Sequence, residues 1–209
     1  MARNEELVNA ILKGDRNNVQ TIMQKAIEQK QDVVQLLDGS MIPAMREIGE
    51  RFSRNEVYVP EMLIAARAMQ AGLTLIEPIL AQSNHKSLGK IAVGTVKGDL
   101  HDIGKNLVAI MLKGAGYEVL DLGTNCSVDK YAEAVNAGVQ IVMCSALLTT
   151  TMTYMEEVVK HFKDTPEVKV VIGGAPVTQK YADSIGAHAY GRDANEAVKI
   201  VENIIGASA

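Results

Sequence analysis

A short run of the sequence, Lys97-Gly-Asp-Leu-His-Asp-Ile-Gly104, holds residue types whose spacing suits a metal site. Asp99 precedes His101 by two residues, and Gly104 follows the histidine by three. A histidine that ligates a metal through one ring nitrogen usually donates its other N–H to a carboxylate, which fixes the tautomer and raises the basicity of the ligand. The spacing therefore predicts a metal ligand at His101 with Asp99 as its hydrogen-bond partner.

Two further motifs follow later apolar runs, namely Ser145-Ala-Leu-Leu-Thr-Thr150 and Gly173-Gly174-Ala175. In open α/β sheets, ligands bind at the carboxyl ends of the strands, so these motifs should meet the His101 loop. A hydroxyl from a neighbouring strand end, Ser145, would complete a relay of ligand, carboxylate and hydroxyl that takes up or releases a proton. Gly104 would let the backbone pass close to a bulky planar cofactor.

The elements before this region predict a bundle of four amphipathic helices over residues 1–88. Apolar residues recur at helical spacing in four stretches, at 7–12, 19–27, 41–52 and 60–78. Gly14 separates the first two stretches, and Pro60 stands where a first helical turn tolerates proline. Short connections between such helices are typical of a small bundle.

The pattern changes class after a polar linker at residues 82–90. Short β-prone runs then alternate with helical stretches, the runs lying at 91–96, 117–120, 141–144, 168–172 and, more weakly, 188–190. This alternation predicts an α/β domain over residues 89–209 with a doubly wound, flavodoxin-like (Rossmann-like) parallel sheet.

Composition excludes several classes of partner. The chain has 209 residues and a formal net charge of -4, with both signs mixed along it, so neither a nucleic-acid backbone nor an anionic membrane is an expected partner. The two cysteines, Cys126 and Cys144, stand far apart and suggest no disulfide framework. Cys126 is expected in a loop, as the more accessible thiol. We expect no signal or membrane-spanning segment, and therefore a cytoplasmic protein.

The sequence is similar to two nucleotide-binding motifs but matches neither of them. Gly98 to Gly104 followed by Lys105 is similar to a phosphate loop, but five residues intervene where that motif has four, and Asn106 replaces its Ser or Thr. No Gly-x-Gly-x-x-Gly follows the first predicted strand, which disfavours a dinucleotide site.

Taken together, the motifs Asp99-x-His101-x-x-Gly104, Ser145-x-Leu147 and Gly173-Gly174 resemble the cobalamin-binding signature of B12-dependent methyltransferases and mutases. Forty residues separate Gly104 from Ser145, and twenty-five separate Leu147 from Gly173, close to the spacing of that family. Three linked motifs at these separations are far more specific than Asp-x-His-x-x-Gly alone.

The resemblance implies a role for each matching residue. His101 becomes the lower axial ligand of cobalt in cobalamin or a related corrinoid, and Asp99 and Ser145 form its relay. Leu147 and Thr149 line the channel of the nucleotide tail, for which Gly173 and Gly174 leave room. The remaining residues expected at the cofactor include the loop that would close on the tail and Asp102, which is also expected to cap a helix. They are Gly98, Leu100, Asp102, Ile103, Gly104, Tyr190 and Ala194.

The N-terminal bundle narrows the class. It resembles the helical cap of methionine synthase and of the corrinoid proteins of methylamine, methanol and betaine metabolism. The stretch Arg51-Phe-Ser-Arg-Asn-Glu-Val-Tyr-Val-Pro60 matches the segment that shields the methyl ligand in that cap, which nominates Phe52 and Val59.

The resemblance implies a methyl carrier of anaerobic one-carbon metabolism that is not catalytic alone. Its corrinoid would alternate between methylcob(III)alamin and cob(I)alamin. The implied partners are a substrate:corrinoid methyltransferase, a corrinoid:tetrahydrofolate or corrinoid:thiol-coenzyme methyltransferase, and a reductive activation protein. Methylamines and quaternary amines are favoured as donors, with methanol and aryl methyl ethers open.

The main alternative is a cobalamin-based sensor that regulates transcription. Such sensors carry an added DNA-binding region, and the light-sensing ones use a tryptophan in the cap, whereas this sequence has no tryptophan. Radical mutases share the cobalamin signature but place the corrin against a catalytic barrel, so the helical cap favours methyl transfer.

Overall fold

The computed structural model describes residues 3–82 and 87–206. The chain forms two compact units, the first comprising Met1–Lys86 with Gly114–Gly116 and the second comprising Ser87–Lys113 with Tyr117–Ala209. The predicted linker at residues 82–90 lies partly outside the described residues, at 83–86.

The first unit is helical, and all four predicted helices are present. Its elements are α1 (Glu5–Leu12), α2 (Arg16–Glu28), α3 (Val33–Leu36), a π-helical turn (Leu37–Met41), α4 (Ile42–Ser53) and α5 (Val59–Gln82). The sequence pattern did not predict α3 or the π-helical turn. Both are only one or two turns long, which is too short for a helical period to be recognised.

Polar residues cap the first three helices. The side chains of Asn4, Asp15 and Asp32 each accept a hydrogen bond from a backbone N–H in the first turn, which would otherwise have no partner. The chain turns between α1 and α2 at Gly14, whose φ is +68°. A Cβ at this position would lie 2.0 Å from Ile64 Cγ2, so close packing also requires glycine here.

Helix α5 corrects one expectation. Within it, Val59–Leu80 is the single described stretch that is long and apolar enough to cross a membrane by length and composition. The expectation that no such stretch exists is therefore wrong. The same stretch carries Arg67 and buries Met62, Met69 and Ile76 almost completely, as the core helix of a bundle also does.

The second unit confirms the predicted doubly wound sheet. Five parallel strands lie in the order β2-β1-β3-β4-β5. The strands are β1 (Lys90–Val96), β2 (Glu118–Cys126), β3 (Ile141–Ser145), β4 (Lys169–Gly173) and β5 (Ala189–Gly191). The helices are α6 (Ile103–Gly114), α7 (Val128–Asn136), α8 (Thr149–Met152), α9 (Tyr154–His161), α10 (Gln179–Ile185) and α11 (Ala194–Gly206).

The strand order locates the functional edge of the sheet. Strand β1 lies between β2 and β3, so the connections that leave β1 and β3 run in opposite directions along the sheet. The crevice outside the carboxyl ends of two such strands is the usual ligand position in this architecture. The loop after β1 carries His101, and the loop after β3 carries Leu147.

The two cysteines are both structural. Cys126 is the last residue of β2 and is fully buried, so the prediction of an accessible loop thiol is wrong. Burial raises the pKa of Cys126, and burial raises the pKa of Cys144, in β3, to about 12. Because thiolates are the reactive species, neither cysteine is a candidate nucleophile.

Candidate functional site

The loop after β1 holds His101 in one tautomer. The Nδ1 atom of His101 lies 2.7 Å from Asp99 Oδ1, which also accepts a hydrogen bond from the His101 backbone N–H at 3.0 Å. A carboxylate only accepts, so Nδ1 is the donor, and in the neutral imidazole Nε2 carries the lone pair. The side chain is 51% exposed, which makes Nε2 available to a metal.

The other oxygen of Asp99 is bonded to the loop after β3. Asp99 Oδ2 accepts hydrogen bonds from Leu147 N at 2.8 Å and from Thr151 Oγ1 at 2.6 Å. Burial alone would raise the pKa of Asp99, but the hydrogen bonds from Thr151, Leu147 and His101 together lower it well below its usual range. Asp99 is therefore an ionised, fully buried carboxylate that accepts from both loops.

Thr151, rather than Ser145, supplies the hydroxyl of the relay. Within the described part of the chain, Asp99 has no hydrogen bond from Ser145, which still belongs to β3 and pairs with Thr95 and Gly173 in the sheet. The carboxylate lies beyond the strand ends, where it is reached from the short helix α8. The prediction for Ser145 is wrong for this reason.

The Thr151 hydroxyl has two acceptors for its one proton. Besides Asp99 Oδ2 at 2.6 Å, the carbonyl oxygen of Leu148 lies 3.1 Å from Thr151 Oγ1. If Asp99 gained a proton, the hydroxyl could turn to donate to Leu148 and accept from the carboxyl group. The hydrogen-bonded series of His101, Asp99 and Thr151 can therefore take up one proton without leaving a polar group unpaired.

Large, exposed apolar side chains lie in the His101 loop and in the loop after β3, which is bonded to Asp99. Leu100 and Ile103 are 74% and 78% exposed, and Leu147 and Leu148 are 45% and 44% exposed. Exposed apolar residues gathered at one edge of a sheet mark a binding surface. The arrangement suits the face of a large, flat ligand.

Comparisons with known proteins decide the family. Two family models match, each described as a B12 binding domain, one over residues 89–199 and one over residues 3–77. A corrinoid protein of Desulfitobacterium hafniense is 37% identical over 209 residues, covering 97% of each protein. A trimethylamine corrinoid protein of Methanosarcina barkeri is 39% identical over 212 residues, covering 97% of this chain and 98% of the relative. The chain belongs to the corrinoid proteins.

Solved structures agree with this assignment. A chain of the methanol:cobalamin methyltransferase complex MtaBC from Methanosarcina barkeri matches with a TM-score of 0.86 and 28% identity, over 96% of this chain and 78% of that chain. A cobalamin-binding protein from Desulfitobacterium hafniense DCB-2 matches with a TM-score of 0.77 and 28% identity, over 94% of this chain and 96% of that one.

The site of this corrinoid protein fits a metal held in a macrocycle. Among the described residues, no group of three or more His, Cys, Asp or Glu side chains could hold a metal ion. A single oriented imidazole suits a metal whose other ligands come with the cofactor, as in a corrin. The exposed leucine and isoleucine side chains around the imidazole suit the apolar face of that ring.

The Gly173-Gly174 pair lies where the backbones of neighbouring loops approach closely. A Cβ on Gly174, whose φ is +129°, would lie 1.9 Å from the carbonyl oxygen of Ala146, and a Cβ on Gly173 would lie 2.8 Å from that of Gly191. Backbone already fills the space that the missing side chains leave. The pair therefore allows the loops after β3, β4 and β5 to pack closely, and its contact with a nucleotide tail remains a prediction.

The remaining predicted residues of the second unit lie at the carboxyl ends of its strands. Gly98 has a φ of +84°, and the Cβ position of Gly104 has no neighbour within 4 Å. Asp102 precedes α6, where its carbonyl accepts from Asn106 N and its carboxylate accepts from the Asn106 side chain instead of capping a backbone amide. A further side chain that the sequence did not reveal, the buried Thr95, donates to the His101 carbonyl oxygen at 2.8 Å.

The last candidates lie farther along the chain or in the first unit. Thr149 is the exposed first residue of α8, Tyr190 is half-buried in β5, and Ala194 is the buried first residue of α11. In the first unit, Phe52 and Val59 are both half-buried. Contact between these residues and the corrinoid remains a prediction.

Replacing Thr151 with valine should weaken the folded state mainly above pH 4. The change removes one hydrogen bond to a buried carboxylate, for which we expect a loss of about 2 kcal/mol in the free energy of unfolding. The pKa of Asp99 is lower in the folded state than in the unfolded state, where it is about 3.9, so the ionised carboxylate stabilises the folded protein above pH 4. This stabilisation disappears as the pH falls toward the folded-state pKa. The difference between wild type and variant should therefore shrink below pH 4.

Urea unfolding of the apoprotein between pH 3 and pH 8 would measure this difference. Thr151→Ser, which keeps the hydroxyl, is the matched control and should stay close to wild type. Equal stability of the valine variant and wild type at pH 7 would show that Thr151 does not stabilise the ionised Asp99.

Proposed function

We propose that this corrinoid protein carries a methyl group on cobalt between a substrate:corrinoid methyltransferase and a corrinoid:acceptor methyltransferase. The observation that carries the proposal is the exposed Nε2 of His101, whose other ring nitrogen is fixed by the ionised Asp99. This is the geometry of a histidine that ligates a metal from one side and leaves the opposite side for reaction.

The corrinoid supplies a cobalt atom that alternates between a methylated Co(III) form and a strongly nucleophilic Co(I) form. The protein sets the conditions for that alternation. His101 Nε2 would hold the cobalt and favour the methylated form, and loss of this bond would favour the reduced form. A proton released or taken up at Nε2 would be compensated through Asp99 and Thr151, because their hydrogen bonds join the imidazole to a hydroxyl with an alternative acceptor.

The apolar residues around the ligand would exclude water from the lower face. Leu100 and Ile103 extend from the loop after β1, and Leu147 and Leu148 extend from the loop after β3. Packing the corrin against these side chains would bury apolar surface on both partners, at about 25 cal/mol per Å². The lower ligand would then lie in a dry environment, where the Asp99 hydrogen bond is stronger than in water.

The names of similar proteins support a methyl donor and a partner. Relatives 36–39% identical to this chain are named trimethylamine and dimethylamine corrinoid proteins, and the similar chain of MtaBC belongs to a methanol:cobalamin methyltransferase complex. We therefore propose a methylamine as the methyl donor and a substrate methyltransferase as a partner. A tetrahydrofolate or thiol-coenzyme methyltransferase, a reductive activation protein and a cytoplasmic location complete the proposal.

Titration of the apoprotein with hydroxocobalamin tests the proposal. We expect uptake of one corrinoid, with a spectrum in which the cofactor's own base is displaced from cobalt by a protein histidine. After reduction and alkylation with isotopically labelled iodomethane, the label should stay with the protein. It should then pass to tetrahydrofolate or to a thiol coenzyme when the corresponding acceptor methyltransferase is added. Folded apoprotein that takes up no stoichiometric corrinoid would overturn the proposal.

A further inference from the structure

The end of strand β2 departs from regular pairing next to the His101 loop. Its register against β1 shifts twice, because Val93 pairs with Asp121, Gly94 with Gly123, and Val96 with Cys126. Two residues of β2 are therefore extra relative to β1. Such bulges bend a strand and redirect its side chains, and they are common beside functional sites.

Asn125 lies within the second register shift and has a φ of +53°. Its Oδ1 atom accepts a hydrogen bond from Gly98 N at 2.8 Å, and its own backbone N–H donates to the Asp99 carbonyl oxygen at 3.0 Å. Asn125 thus fixes the backbone of Gly98 and Asp99, just before the ligand His101. Asparagine tolerates a positive φ better than most residues, which suits it to this position.

Asp121 is the last residue of β2 before the first register shift, and it connects to the other end of the same loop. Its Oδ1 atom accepts hydrogen bonds from Gly123 N at 2.8 Å and from Lys105 Nζ at 2.5 Å. The same ammonium group donates to Asn106 Oδ1 at 2.6 Å, and Asn106 Nδ2 donates to Asp102 Oδ2 at 3.0 Å. A continuous series of hydrogen bonds therefore runs from β2 to the residue that directly follows His101.

Lys105 makes this second connection unusual. Its side chain is only 2% exposed, and burial of a charged amine is costly unless its donors are paired. Both acceptors in the structure belong to the residues that hold the start of α6, namely Asp121 and Asn106. An apolar side chain would fill the same volume without this cost, so the buried charge points to a need for fixed geometry at this position.

We infer that the bulged end of β2 is a clamp that sets the position of His101 relative to the corrinoid, with Asn125 and Lys105 as positioning residues. The inference rests on the proposed function, since it concerns the bond from His101 to cobalt. A ligand held within about 0.5 Å of its required position depends on the residues that support its loop. The clamp supports the loop on both sides of the histidine.

Three variants separate the two connections. Asn125→Gly keeps the positive φ but removes the acceptor of Gly98 N, whereas Asn125→Asp keeps an acceptor at the same place. Lys105→Met keeps an unbranched side chain and removes the ammonium group. His188→Ala is the matched control, because His188 Nδ1 likewise accepts from a backbone N–H, that of Val170 near the start of β4.

The readout is the bond from histidine to cobalt, which a purely structural role would not change. With saturating cobalamin, electron paramagnetic resonance of the Co(II) state should show the nitrogen of a protein histidine, identified by nitrogen-15 labelling of histidine. We expect Asn125→Gly and Lys105→Met each to weaken this ligation about tenfold. Because the Co(I) state lacks the bond, the Co(II)/Co(I) midpoint potential should rise by about 59 mV. Asn125→Asp and His188→Ala should keep the wild-type value.

The outcomes distinguish this inference from the proposed function. Wild type with histidine-ligated cobalt, together with Asn125→Gly and Lys105→Met at the wild-type potential and ligation, overturns the clamp alone. An equal rise in the potential of the His188→Ala control also overturns it, because the effect would then follow from lost stability. Wild type that binds no cobalamin overturns the proposed function and this inference with it.

Discussion

Replacing His101 with alanine should abolish histidine ligation of cobalt while leaving the apoprotein folded. The imidazole is half-exposed, and its removal leaves Asp99 with its hydrogen bonds from Thr151 Oγ1, Leu147 N and the backbone N–H of residue 101. Corrinoid affinity should fall on the order of 100-fold, because loss of even an outer partner of a metal-bound histidine costs 10–100-fold. Residual binding should come from the apolar surface around the loop.

Absorption and electron paramagnetic resonance spectra of the loaded variant measure this effect. His161→Ala is the matched control, because His161 is an exposed histidine at the end of α9 whose ring contacts Phe162 edge-on. This control should keep the wild-type spectra and affinity. Persistence of the labelled-histidine nitrogen signal in His101→Ala would mean that another residue holds the cobalt, and it would contradict the assignment of the ligand.

Much of this site could be predicted from the sequence because it depends on local spacing. A single residue separates Asp99 from His101, which lets the carboxylate reach the ring, so the pair was predictable and is present at 2.7 Å. The five strands were predictable for a similar reason. Strands β1, β3 and β4 are buried on both faces, and they therefore read as short continuous apolar runs.

The hydroxyl of the relay required three-dimensional information. Ser145 ends β3 and Thr151 lies six residues later, and the sequence offers no way to decide which side chain reaches a carboxylate from another loop. The short helix α8 decides it by carrying Thr151 back over the strand end. A run of three threonines at positions 149–151 was the available signal, because it placed several hydroxyl groups at the start of a helix.

The bulged end of β2 shows the same limit. The predicted apolar run stopped at residue 120, whereas the strand continues to Cys126. Asp121 and Asn125 therefore lay outside the predicted strand. The exposed residues of this edge strand interrupt the pattern. Their side chains acquire a role through hydrogen bonds to the loop after β1 and to the start of α6, beside the two register shifts.

Replacing Gly174 with alanine should prevent the second unit from folding stably. The added Cβ would lie 1.9 Å from the Ala146 carbonyl oxygen and 3.0 Å from its carbonyl carbon, both of them backbone atoms. The φ of +129° is also unfavourable for any residue with a side chain. Since Ala146 N donates to the Gly173 carbonyl oxygen, relief of the clash would separate the ends of β3 and β4. We expect a loss of more than about 4 kcal/mol.

A second glycine separates the clash from the backbone conformation. Gly138 has a φ of +89° but no atom within 4 Å of a Cβ position, so Gly138→Ala should cost only about 1–2 kcal/mol, the conformational penalty alone. Urea unfolding of both variants, followed by circular dichroism, measures the difference. If Gly174→Ala were no less stable than Gly138→Ala, the loops after β3 and β4 would not be packed as closely as the structure shows.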